Sequence, residues 1–140
     1  MTILSFDYGL SHIGVALGST NTGLVEPLTV ISVSSLNKDL EKIADLIKTH
    51  HPEKLIVGVS EKSSARQSLN FASGLKKTFS LPVEISDETL SSQEAEKRTL
   101  HWKKSKGKLF RHAAAAAIIL ERWLADLTPG YQMEYKQGNV

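Results

Sequence analysis

Short apolar runs alternate with longer stretches in which apolar residues recur at helical spacing. Residues 3–6 and 13–17 read as two strands joined by a turn at Tyr8-Gly9-Leu10-Ser11, a pattern that predicts a hairpin. Residues 27–33 are rich in β-branched side chains and predict a third strand. Leu36, Leu40, Ile43, Leu46 and Ile47 then mark one face of an amphipathic helix that ends near His50-His51-Pro52. Residues 55–59, Leu-Ile-Val-Gly-Val, show no alternation, as expected of a central parallel strand buried on both faces. Ala65, Leu69, Ala72, Leu75 and Phe79 predict a second helix, and residues 82–85 a short fifth strand. Ser91-Ser92-Gln93-Glu94 fits a capping box and predicts the start of a third helix. A basic loop over residues 103–108 leads into a last helix over residues 110–127, which Pro129-Gly130 stops.

A β-meander followed by alternating helices and strands predicts an α/β fold, a mixed five-stranded sheet with helices on its faces. The chain has 140 residues, with no internal repeat or linker. That length predicts a single domain over residues 1–128 and a mobile tail over 129–140. There is no cysteine, which excludes disulfides and thiolate metal sites and agrees with a cytoplasmic location. The longest apolar run, residues 113–120, is too short to span a membrane, and the N-terminus lacks the basic start of a signal peptide.

Seventeen basic and fifteen acidic residues leave a net charge of only +2, but the distribution is uneven. Between Lys97 and Arg111 there are seven basic residues and no acid. Trp102, Lys103, Lys104, Lys106, Lys108 and Arg111 combine an aromatic ring with cations, the composition that holds phosphates and stacks on an unpaired base. The same stretch could also be a solvated loop.

Three acids are candidates for metal chemistry. Asp7 ends the first predicted strand just before Gly9, where it could ligate a cation or stabilise the turn through its own backbone. Asp87 and Glu88 directly follow the fifth strand. One of the two could face a site while the other caps the next helix, and a purely structural role is equally open. With Asp7 they would suit a hard divalent cation if the first and fifth strands lay side by side, because such ions take oxygen ligands from separate elements. His112, at the start of the last helix, could add a nitrogen donor or be an ordinary helix-end residue. His12, His50, His51 and His101 show no ligand spacing and read as surface residues. Gly9 and Gly14 permit tight turns or close backbone approach. No P-loop, serine-hydrolase elbow or zinc signature is present.

Four stretches in order resemble the motifs of the YqgF/RuvX family. They are Phe6-Asp7-Tyr8-Gly9 with Ile13-Gly14-Val15-Ala16, Leu55-Ile56-Val57-Gly58-Val59, Asp87-Glu88-Thr89-Leu90-Ser91-Ser92-Gln93-Glu94-Ala95, and Lys106-Gly107 with the Ala-rich helix from Ala113 to Glu121. The resemblance covers residues 3–124. It implies a ribonuclease-H-like fold with helices on both faces of the sheet. It also implies nuclease chemistry on structured nucleic acid, with Asp7, Asp87 and Glu88 holding Mg²⁺ or Mn²⁺. The implied substrate is the 5′ end of the small-subunit ribosomal RNA precursor, the alternative a DNA Holliday junction. Monomer and homodimer are both open for the assembly. The chain departs from the family pattern at His12 and Thr89, where arginines are expected, at Ser60-Glu61-Lys62 after the central strand, and at His112, where the last helix is expected to open with Asp. Those departures leave a nucleic-acid-binding protein without strong catalysis as a third reading.

Overall fold

The computed structural model describes residues 1–59, 65–86 and 110–127. Strands β1 (Thr2–Tyr8), β2 (His12–Ser19) and β3 (Val25–Ser32) precede helix α1 (Leu36–His50). They are followed by β4 (Lys54–Val59), α2 (Ala65–Phe79), β5 (Val83–Ser86) and α3 (Phe110–Leu127). The five strands form one sheet in the order β3-β2-β1-β4-β5. The β1–β2 and β2–β3 pairs are antiparallel, and β4 runs parallel to both β1 and β5. The hairpin, the mixed sheet and the interior, parallel pairing of β4 on both sides therefore follow the expectations from sequence, while the strand at the centre of the sheet is β1.

Period-two alternation in β1 sorts its side chains between two cores. Leu4 and Phe6 join Leu40 and Ile43 of α1 and Phe71 and Leu75 of α2 on one face. Ile3 joins Ile119 and Leu120 of α3 on the other. Tyr8 and Phe71 stack with ring centroids 4.7 Å apart, while Phe6 meets Phe71 edge-on at 5.7 Å. Burying each of these large side chains contributes about 1.5–3 kcal/mol relative to leaving it in water.

Helix α1 starts where Ser35 accepts a hydrogen bond from the Lys38 amide at 3.3 Å, and the buried Asp39 carboxylate accepts one from the Ser34 amide at 3.1 Å. It stops at His51, whose left-handed conformation lets its amide donate to the Ile47 carbonyl at 2.8 Å.

Helix α3 meets the sheet through small residues. Ala113, Ala114, Ala116 and Ala117 are all buried, and Ala16 of β2 packs among them. A side chain larger than methyl at these positions would hold the helix away from the strands. The buried Ser5 hydroxyl donates to the Ala116 carbonyl at 2.7 Å, fixing helix to central strand by a polar contact as well.

Some boundaries differ from the sequence expectation. β1 continues through Asp7 and Tyr8, because both its neighbours hydrogen-bond along that length. β3 begins at Val25, with Pro27 opposite Ala16 at a shift in register, a place where the missing proline amide is tolerated. The helix expected after Ser91, the basic loop and the tail lie outside the described residues.

Candidate active site

Asp7 sits on the central strand with a glycine directly beside it on each neighbouring strand. Gly14 of β2 is its antiparallel partner and Gly58 of β4 its parallel one. Gly58 pairs in turn with Ser86, the last residue of β5. One row therefore crosses the sheet as Gly14, Asp7, Gly58 and Ser86, and of its first three members only Asp7 carries a side chain.

The face that this row presents follows from strand periodicity. Ile3 and Ser5 contact α3, so Asp7, two residues further, stands on the same side. Its glycine neighbours confirm the direction. A Cβ at Gly14 would lie 1.8 Å from the His112 carbonyl oxygen, and one at Gly58 would lie 2.2 Å from the Ile119 Cδ1. The first turn of α3 thus comes down onto β2 beside Asp7, at a backbone-to-backbone separation that only glycine permits. Asp7 is half-buried, a carboxylate set in a strand and not in the turn that its position before Gly9 suggested. The turn is closed by the Gly9 amide, which donates to the His12 carbonyl at 3.1 Å.

His12 opens β2 and is half-buried. Its ring stacks on that of His112, with centroids 5.0 Å apart and planes 19° apart. The expectation of a surface role for His12 is therefore corrected. Ring stacking removes both imidazoles from the class of freely solvated side chains, and no local spacing could have shown it, because the partner lies on the last helix. Arg111 is exposed in the first turn of α3, and no acid stands in that turn. The cation and the positive end of the helix dipole favour an anion such as phosphate near this end of the helix.

Of the other candidates, Asp87 and Glu88 are the next residues in the chain after Ser86 but lie outside the described residues. So do Trp102, Lys103, Lys104, Lys106 and Lys108. Among the described residues no group of three acidic or histidine side chains is arranged to hold a metal ion. Asp7 alone fits such a role as one hard oxygen donor with glycine on both flanks, so a divalent cation here would need further carboxylates.

A second feature lies along the other half of α3. The Trp123 indole donates to the Glu84 carboxylate, Lys54 lies 3.7 Å from the same carboxylate, and its ammonium sits 5.0 Å from the Trp123 ring centre. With Ile85, Ser86, Asp126 and Leu127 these residues line a shallow cleft of about 390 Å³. Two acids face one lysine there, so the cleft is poorly suited to phosphate. Its contacts tie α3 to β4 and β5. Among the described residues no helix is long and apolar enough to cross a membrane.

Comparison with known proteins bears on this geometry. The sequence pattern of a family described as "RuvX: Holliday junction resolvase" matches residues 1–126. A Coxiella burnetii protein named "Putative pre-16S rRNA nuclease" is 34% identical over 129 residues, covering 88% of this chain and 92% of the relative. A protein of the same name from Azotobacter vinelandii is 33% identical over 136 residues, covering 91% and 96%. Among solved structures, the RuvC protein of T. thermophilus in complex with a Holliday junction substrate superimposes with a TM-score of 0.59 at 17% identity, covering 91% of this chain and 96% of that one. The shared fold is ribonuclease-H-like.

Proposed function

Since the chain belongs to the RuvX family, we propose that it is a metal-dependent nuclease that trims the 5′ end of the small-subunit ribosomal RNA precursor in the cytoplasm. One observation carries this reading. Asp7 lies on the central strand, flanked by two glycines and beneath the first turn of α3. That arrangement fixes a half-buried carboxylate on the face of the sheet that carries α3, next to the start of that helix.

In this reading Asp7, Asp87 and Glu88 hold Mg²⁺ or Mn²⁺, and His112 stands at the edge of the same site. A bound divalent cation would acidify a water nucleophile and neutralise charge on the leaving oxygen. The protein's own part is to place groups. β1 fixes the Asp7 carboxylate, because the strand is hydrogen-bonded on both sides. Gly14 and Gly58 let α3 pack directly beside it, which brings the start of that helix to the carboxylate. Arg111 and the start of α3 attract the phosphate, and the basic segment holding Trp102, Lys103, Lys104, Lys106 and Lys108 extends that attraction along the backbone of the nucleic acid. Interactions of this kind recognise structure more than sequence, which suits a folded precursor RNA.

The description of the matching family favours a second reading, a resolvase acting on branched DNA. A cleavage assay separates the two. End-labelled precursor RNA carrying its 5′ extension and a four-way DNA junction are each incubated with the protein in Mg²⁺, in Mn²⁺ and in chelator. The proposal expects metal-dependent cleavage of the RNA at least about tenfold faster than that of the junction, a difference of about 1.4 kcal/mol in the barrier. Preferential cleavage of the junction would establish the second reading, and no cleavage of either would leave a nucleic-acid-binding protein.

A further inference from the structure

His12 and His112 come from opposite ends of the chain, and they meet ring to ring on the face of the sheet that carries Asp7. Two contacts from the same strand locate His112. Gly14 receives its backbone, at a separation that leaves no room for a Cβ, and His12 receives its ring. Residues 12 and 14 lie two apart on β2, hence on one face of the sheet, the face that carries Asp7. An imidazole whose backbone and ring plane are both held has little rotamer freedom left. Its in-plane nitrogens then have a set direction, which is what a ligand or hydrogen-bonding group in a site requires. Positions 12 and 112 are also two at which the sequence departs from the motifs it resembles, and the structure puts them in contact.

We propose that His12 is a positioning residue for His112. The two imidazoles act as one unit, and what stands at position 12 determines how the group brought by α3 is presented to the Asp7 site. This inference rests on the reading of that site as a metal-dependent nuclease centre, but the contact itself is testable without it.

The test is a double-mutant cycle with two readouts on the metal-free and Mn²⁺-titrated protein. The variants are His12→Ala, His112→Ala, the double variant and His12→Phe, which keeps an aromatic ring but no ring nitrogen. Calorimetric titration with MnCl₂ gives the affinity of each. The ring-proton resonances of His112 in the metal-free protein report whether a stacked ring lies over it. His12→Ala should weaken Mn²⁺ binding about as much as His112→Ala. The double variant should be no weaker than the poorer single one, a coupling of about three- to tenfold, in the range found for residues in contact. His12→Phe should stay within about twofold of wild type on the same scale. The His112 ring resonances should move in His12→Ala and far less in His12→Phe. If the two single effects multiply, or if His12→Phe behaves as His12→Ala does, the positioning role is wrong. Unchanged His112 resonances in His12→Ala would overturn the contact itself. Wild-type protein that takes up no Mn²⁺, with the resonances still moving as expected, would overturn the metal-site reading and the functional role of the pair while leaving the stacking in place.

Discussion

Replacing Gly14 by alanine inserts one methyl group where, among the described glycines, a helix and a strand approach most closely. Its Cβ would fall 1.8 Å from the His112 carbonyl oxygen, 2.2 Å from the carbonyl carbon and 2.8 Å from the Ala113 nitrogen. Ordinary van der Waals separation needs about 3.5 Å, so the start of α3 or the strand must retreat by roughly 1.5 Å. Both sides of the clash are backbone, which cannot rotate away. Overpacking of this kind costs about 1–3 kcal/mol, and the backbone character of the clash places Gly14→Ala at the upper end, near 3 kcal/mol. For a domain of this size each kcal/mol lowers the melting temperature by roughly 3–5 °C, which predicts a fall of about 9–15 °C by circular dichroism. Gly58→Ala is the control. Its nearest neighbours are side-chain atoms of Ile119, whose terminal methyl can turn aside. That variant should lose only about 1 kcal/mol, the low end of the overpacking range. Because the retreat also moves His112 relative to Asp7, single-turnover cleavage well below the melting point should drop by about a hundredfold in Gly14→Ala, the cost of a misplacement near 1 Å. A Gly14→Ala protein melting within about 2 °C of wild type, a change of less than about 1 kcal/mol, would refute the argument for close backbone approach.

The other predictions concern separate parts of the molecule. Gly74 lies inside α2, and a Cβ there meets nothing closer than 3.5 Å, so Gly74→Ala should stabilise the protein by about 0.5–1 kcal/mol in urea titration. Replacing Lys103, Lys104 and Lys106 by alanine should flatten the log–log salt dependence of nucleic-acid binding by about 0.7–0.9 for each phosphate that is no longer neutralised; an unchanged slope would make the segment a solvated surface only. His112→Asp supplies a hard oxygen in place of nitrogen and should tighten Mg²⁺ binding measured by calorimetry near neutral pH. Equal Mg²⁺ affinity in wild type and His112→Asp would place residue 112 outside the metal site.

Much of the architecture is legible in the sequence because it is written in local periodicity. The run Leu55-Ile56-Val57 lacks alternation because both its faces are covered, by α1 and α2 on one side and α3 on the other. The Ala-rich stretch after His112 is readable as a helix, but its reason is tertiary: alanines lie where the helix approaches Ala16, beside Gly14. Gly14 itself reads as a residue suited to a turn or a close approach, and only the placement of α3 decides for the latter. Asp7 is legible as an acid at the end of a strand. That it lies within the strand depends on hydrogen bonds from both β2 and β4, which no window of sequence contains. The His12–His112 stack is hidden for the same reason, since its partners come from the two ends of the chain. The cluster of Lys54, Glu84 and Trp123 likewise joins three elements and leaves no local pattern.

The central claim is that Asp7 is the carboxylate around which a metal-dependent nuclease site is built, and single-turnover cleavage by Asp7→Asn tests it most directly. Asparagine keeps the size of the side chain and removes its charge, and the half-buried position on a doubly paired strand should tolerate it. Circular dichroism and melting temperature establish first that the variant is folded. Wild-type and variant proteins are then incubated in excess over end-labelled precursor RNA, with Mg²⁺ and with Mn²⁺. The account predicts cleavage by wild type in either metal and a loss of at least about a thousandfold in the folded variant, the scale of removing a group that acts on the transition state. Cleavage by folded Asp7→Asn at the wild-type rate would contradict it.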